Sequence, residues 1–178
     1  MNNNFEAALK YILVHEAGFQ DDPKDTGNKL ADGRTGCTNL GVTQATWEAF
    51  VGHPVSKDDM RKLTKEKVSK LYKNKYWNIV HGDDLPTGLD YLMFDFAVNA
   101  GPGRAIKILQ EALGVTVDGA IGNKTLTAIN IAPQKELISE FTKAKNLYYK
   151  SCKTFPTYGK GWLNRSASAE QTAKTMIG

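Results

Sequence analysis

The residue that first suggests chemistry is Glu16. Phe5, Ala8, Leu9, Ile12 and Leu13 repeat at i, i+3, i+4, i+7 and i+8, the spacing of an amphipathic helix. Glu16 lies 11 positions after Phe5. At about 100° per residue that is about 1100°, which leaves it only about 20° off the apolar stripe. Gly18 is a suitable residue to close the helix, so Glu16 sits at its C-terminal end, where the macrodipole disfavours negative charge. Partial burial opposes ionisation as well. Both effects favour a protonated carboxyl near neutral pH, which a general acid requires. The competing reading is a last-turn glutamate twisted out to solvent.

A general acid needs a partner. Glycoside hydrolysis commonly uses two carboxyl groups, one protonating the leaving oxygen while the other activates water or attacks carbon. Asp25 follows nine residues after Glu16 in a polar loop, an environment opposed to that of a helix end. Asp21, Asp22 and Asp32 are local rivals. In the run Thr38-Asn39-Leu40-Gly41-Val42-Thr43, hydroxyls and amides can hold a water or sugar hydroxyls, though Thr43 also suits a helix cap. Asp95 and Asn99 stand at i, i+4 on a very apolar segment, either as an internal network or with Asn99 reaching a cleft. Trp47, Tyr76, Trp77 and Trp162 are candidates for stacking on sugar rings, against the plainer reading of core aromatics.

Bulk properties exclude more than they select. The chain has 178 residues, with 41% hydrophobic and 24% charged, a normal globular composition. A net charge of +4 helps approach to an anionic wall, lipid or nucleic acid without choosing among them. Lys62, Lys65, Lys67, Lys70, Lys73 and Lys75 cluster, as a solvated helix face or an aid to wall attraction. Cys37 and Cys152 are read as free thiols, and His15, His53 and His81 have no metal-binding spacing. No metal and no cofactor are expected. The first residues lack a basic n-region and a continuous apolar run, so no secretory signal and no membrane span are read.

The elements that must position these groups are mostly helical. Residues 20–43 read as an active-site loop with a small antiparallel sheet at most, and Asp32-Gly33 is a hairpin-type turn. Thr43 caps a helix ending near Gly52. Ser56 and Asp59 form a capping box. Val68, Leu71, Tyr72 and Tyr76 mark a helix running into Trp77. Pro86 to Ala100 is apolar on nearly every side, the mark of a central buried helix. Helices near 103–113 and 122–130 follow, then a long one from Pro133 to about Cys152 and a short one after Trp162.

Together these segments resemble glycoside hydrolase family 108, whose members are phage and prophage lysozymes (N-acetylmuramidases). The resemblance rests on Glu16-Ala17-Gly18-Phe19, Asp25-Thr26-Gly27, Thr38 to Thr43 and Tyr76-Trp77. The second half is similar to the family's predicted peptidoglycan-binding region, through FDFAVNAG at 94–101, LQEALGV at 109–115, DGAIGNKTL at 118–126 and GWLNR at 161–165. The Asp25-to-Thr38 spacing of 13 residues exceeds the compact loop of the family, so residues 28–35 are read as an inserted hairpin. A different placement of the insertion would make Asp32 the second carboxylate.

The resemblance implies a mainly α, lysozyme-like α+β fold: a helical bundle around a central buried helix, with a small β or loop region at about 20–43. It implies one lysozyme-like domain over 1–178, with a catalytic half at 1–90 and a helical, peptidoglycan-binding-like half at 91–178. The implied reaction is cleavage of the β-1,4 bond between N-acetylmuramic acid and N-acetylglucosamine, with inversion if the carboxyl groups stand about 6.5–9.5 Å apart and retention if they stand nearer, at about 5 Å. By that resemblance Glu16 would be the proton donor and Asp25, with Thr38, would activate water; Asn39, Tyr76, Trp77 and Asn99 are the candidates for binding substrate.

The expected partner is bacterial peptidoglycan, with no nucleic acid and no membrane insertion, and the chain is expected to act as a monomer. It would be made in the bacterial cytoplasm and act on the wall, delivered by a holin, a virion or a secretion partner. Two alternatives remain open. A lytic transglycosylase would use the glutamate but form a 1,6-anhydro product, and a wall-binding or assembly module would turn nothing over.

Overall fold

The computed structural model describes residues 4–16 and 18–178. Ala17 of the opening motif lies outside the described residues. The chain divides into two compact units, residues 9–75 and residues 1–8 together with 76–178. The fold is mainly helical and lysozyme-like, with one small three-stranded antiparallel sheet.

Helix α1 (Phe5–His15), whose residues from Leu9 on belong to the smaller unit, ends close to where its apolar stripe ends. Three two-residue strands follow: β1 (Phe19–Gln20), β2 (Thr38–Asn39) and β3 (Val42–Thr43). Strands this short cannot hold a sheet by ladder hydrogen bonds alone. Between β1 and β2 a 3-10 turn (Thr26–Asn28) leads into the expected hairpin. Lys29 pairs with Thr35, Gly36 N–H donates to the Asn28 carbonyl at 2.7 Å, and Gly33 turns with φ +86°.

Helices α2 (Gln44–Val51), α3 (Lys57–Arg61) and α4 (Lys65–Tyr72) complete this unit. Their starts were written in the sequence. The Thr43 hydroxyl accepts from Thr46 N–H, and Ser56 and Asp59 form the reciprocal capping box. Such caps are each worth about 1 kcal/mol. The segment expected to be helical into Trp77 is so, but its last turn is a π-helix (Lys73–Trp77).

In the larger unit, α5 (Leu89–Ala100) is the central helix that its uniform apolarity demanded, with residues 89–97 all buried. Helices α6 (Pro102–Leu113), α8 (Gln134–Ser151) and α9 (Phe155–Ile177) pack on it, and α7 (Asn123–Ile131) packs on α6. Gly88, at φ +90°, precedes α5, and a Cβ there would fall 2.5 Å from the Ala173 carbonyl. Asp90, in the first turn, is buried and accepts from Gly88 N–H, Tyr91 N–H and Asn4 Nδ2. Burial nonetheless pushes its carboxyl above the usual range.

The final helix corrects the expectation of a short one after Trp162, for it begins at Phe155 and runs 23 residues. Its inward stripe is Gly159, Ser166, Ala169 and Ala173. Small residues let α8 and α9 approach closely, yet they carry little hydropathy, so the periodicity was hidden.

Candidate active site

The sheet sorts its residues into two faces, because residues directly opposite one another across strands share a face. Phe19, Asn39 and Val42 form one row, and Gln20, Thr38 and Thr43 form the other. The first row faces α3. Arg61 lies over the Phe19 ring at 4.3 Å, and Asn39 Nδ2 donates to the Met60 carbonyl at 2.8 Å. Asn39 is therefore buried and ties the sheet to α3, which corrects its expected role in binding sugar.

The second row carries the polar network of the site. The Thr38 hydroxyl donates to Asn28 Oδ1 at 3.0 Å. Asn28 Nδ2 donates to Gln20 Oε1 at 2.7 Å and to the Asp22 carbonyl at 2.9 Å. Gln20 Nε2 donates to Asp25 Oδ2 at 2.7 Å. Asp25 also caps the 3-10 turn, its Oδ1 accepting from Gly27 N–H at 2.8 Å. Thr38 and Asp25 are thus joined by two amide side chains whose orientations the network itself dictates.

Asn28 is the hub, buried to 1% exposure with its amide donors and its oxygen all engaged. The Thr38 hydroxyl hydrogen is committed to Asn28, so its oxygen faces other partners as an acceptor. Asp25 is exposed, and each of its oxygens keeps an unused lone pair.

Glu16 approaches the same sheet through its β2–β3 turn. The turn residues Leu40 and Gly41 both have positive φ, at 49° and 72°. This is the I′-like geometry that two-residue hairpins prefer. A Cβ on Gly41 would lie 2.8 Å from Glu16 Cβ and 2.5 Å from the Tyr72 oxygen. The Tyr72 hydroxyl donates to the Leu40 carbonyl at 3.0 Å and so locks the turn to α4. Glu16 is half-buried, and its backbone N–H still bonds the Ile12 carbonyl. Only glycine allows this approach.

The rival aspartates are engaged elsewhere. Asp32 pairs with Arg34 Nε at 2.7 Å, and Arg34 reaches Glu48 through both terminal nitrogens. The Arg34 backbone N–H, then its guanidinium, hold the Asp32 carboxyl below the usual range. Asp21 pairs with Lys57 at 3.3 Å, and Asp22 caps its own turn at Lys24 N–H.

Trp77 is fully buried between Phe5 and Phe94, each ring about 5.4 Å away, and its Nε1 donates to Asp83. It is a core residue, which corrects its expected stacking role. Tyr76 is half-buried in the π turn. Asn99 is exposed and accepts from the Tyr149 hydroxyl at 2.9 Å, while Asp95 pairs with Arg165 at 3.0 Å. The residues missed from sequence are Gln20, Asn28 and Tyr72. They carry no charge to attract notice; strand register sets Gln20 opposite Thr38, and the 3-10 turn brings Asn28 to both.

The class is now defined: a mainly α, lysozyme-like fold with a helix-end glutamate packed against the turn of a small polar sheet. The glycosyl hydrolase 108 family profile matches residues 9–101, and the chain belongs to that family. Residues 104–167 match a predicted peptidoglycan domain. The solved structure of SagA from Brucella abortus is similar, with a TM-score of 0.85 and 40% sequence identity over 99% of this chain and 97% of that one. Comparison with curated proteins gave no match. The chain is accordingly a glycoside hydrolase of a peptidoglycan-hydrolase family.

Proposed function

We propose that the chain is an N-acetylmuramidase that hydrolyses the β-1,4 bond between N-acetylmuramic acid and N-acetylglucosamine with inversion. The observation that carries this reading is the hydrogen-bonded path from Thr38 through Asn28 and Gln20 to Asp25. It holds two acceptors, a hydroxyl oxygen and a carboxylate, on the unit that also carries Glu16. A water donating one hydrogen to Asp25 and the other to Thr38 keeps a lone pair for the anomeric carbon. Glu16 gives its proton to the glycosidic oxygen as the bond to that carbon breaks and the electron pair stays on oxygen. The water oxygen bonds the carbon, and Asp25 takes the released proton.

Inversion follows if the two carboxyl groups stand about 6.5–9.5 Å apart, leaving room for that water. The exposed lysines at 62, 65, 67, 70 and 75 favour approach to an anionic wall. Among the described residues no helix is long and apolar enough to cross a membrane. Delivery to the wall by a holin, virion or secretion partner belongs to the same proposal, as does action as a monomer.

Glu16→Gln tests the reading. Release of soluble muropeptides from purified sacculi should fall by about a thousandfold or more, within the range of general acid catalysis. The melting temperature should not move. Full activity in that variant would overturn the assignment. Mass spectrometry of the products should show reducing ends, and products lighter by one water would indicate transglycosylation instead. Proton spectra of fresh product should show the α anomer first.

A further inference from the structure

The larger unit carries an open groove of about 640 Å³ between α6 and α8. Its floor is apolar, from Ile108, Ala112, Ala144 and Leu147, and Leu147 is 68% exposed. On α6, Arg104, Ile108, Glu111 and Ala112 fall at i, i+4, i+7 and i+8, so one face presents a cation, an apolar strip and an anion in line. Arg104 and Glu111 are both exposed, and among the described residues neither has an ion-pair partner. At about 1.5 Å rise per residue, seven residues place these charges about 10 Å apart along the groove. On the opposite wall Lys143 pairs with Glu140 at 2.6 Å, an exposed pair that a ligand can open at little cost.

We propose that this groove binds the stem peptide of peptidoglycan. The proposal rests on the wall-hydrolase reading above and adds the substrate part that the helical unit holds. A neutral sugar strand has no use for cations and anions on one groove. A short peptide bearing carboxylates and, in many walls, a free amine has both charges. An extended peptide covers about 10 Å in three residues, which matches the Arg104-to-Glu111 spacing. The groove also lacks an open stacking platform. Arg104 lies over the Tyr148 ring at 4.8 Å, while Phe96 and Tyr149 approach that ring at 5.9 and 6.0 Å. The groove lies within the segment that matches the predicted peptidoglycan domain.

The test is calorimetric titration of the full chain with two probes: the free tetrapeptide stem released from sacculi by an amidase, and a neutral N-acetylglucosamine oligomer as the glycan. The stem peptide is not a glycosidase substrate, so its binding does not depend on Glu16, and failure here is distinct from failure of the hydrolase reading. The wild-type chain should bind the peptide. Arg104→Glu and Glu111→Lys should each weaken it at least tenfold, and Arg104→Lys should restore most of the affinity. Both positions are exposed, and melting curves check that the variants fold. No measurable peptide binding by the wild type, or unchanged affinity in both reversal variants, overturns the proposal. Glycan binding that Arg104→Glu weakens as strongly as peptide binding overturns it in favour of a sugar groove.

Discussion

The two units keep polar groups in opposite ways. In the smaller, the network at Asn28 lies under an exposed edge, and both amide hydrogens and the oxygen of Asn28 have partners. In the larger, Thr142, Lys145 and Asn146 on α8 and Ser166 on α9 bury polar atoms without a hydrogen-bond partner among the described residues. Such atoms disfavour the fold by about 1–3 kcal/mol each. The smaller unit has little apolar area to spend on such defects, and its sheet is held by side chains rather than strand length. The larger unit, built round α5, has enough close-packed apolar surface to tolerate them. Precision resides where the polar groups are satisfied, and stability resides where apolar burial is greatest.

The sharpest way to break this contrast is Asn28→Ala. Removing the hub takes the acceptor from the Thr38 hydroxyl and one donor each from Gln20 Oε1 and the Asp22 carbonyl. The expected stability loss is about 3 kcal/mol, read by denaturant unfolding. The expected activity loss is about a hundredfold in kcat with KM nearly unchanged, because Asn28 positions Asp25 and Thr38 without touching sugar. Loss of stability alone would make the network a structural staple only.

Lys145→Met probes the other side. Burial pushes the Lys145 amine down to about 8, against attraction from Asp95 and Glu170 and with repulsion from Arg165. Its folded value lies below its ordinary 10.5, so protonation is disfavoured in the fold. Below about pH 8 folded and unfolded chains both carry the proton and the fold bears the full penalty, roughly 3 kcal/mol. That penalty is relieved as pH rises from about 8 to about 10.5. Lys145→Met should therefore stabilise the chain by up to about that amount at pH 7, and should abolish this rise in stability. A destabilised variant would show that the amine has a partner.

A smaller effect is expected at the turn. Gly41→Ala combines a left-handed φ with the approach to Glu16 and Tyr72, and should cost about 1–2 kcal/mol. Its kcat should fall more than its melting temperature suggests, because the displaced group is the proposed acid.

Much of this was legible in the sequence. The α1 stripe, the unbroken apolarity of α5 and the caps at Thr43 and Ser56 announced their helices, because each is a local pattern. The hairpin at 28–35 was readable from the Asp32-Gly33 turn and the stretched spacing to Thr38. The roles of Asn39 and Trp77 were not readable. Alternation puts Asn39 on the face opposite Thr38, but which face meets α3 depends on the tertiary fold. Trp77 belongs to an aromatic core assembled from segments far apart in sequence. The Gln20–Asn28–Thr38 grouping depends on strand register for Gln20 and Thr38 and on the path of the 3-10 turn for Asn28, which no local pattern records.

The hairpin at 28–36 also gives the protein an engineering handle. Its base is Asn28, whose carbonyl closes the loop on Gly36 and whose side chain holds the network. Its tip, residues 31–33, is exposed, and next to it Arg34 pairs with Glu48 of α2. Peptide tags, targeting sequences or fluorescent reporters grafted at that tip would be carried on the unit that holds the proposed site while the base keeps its register.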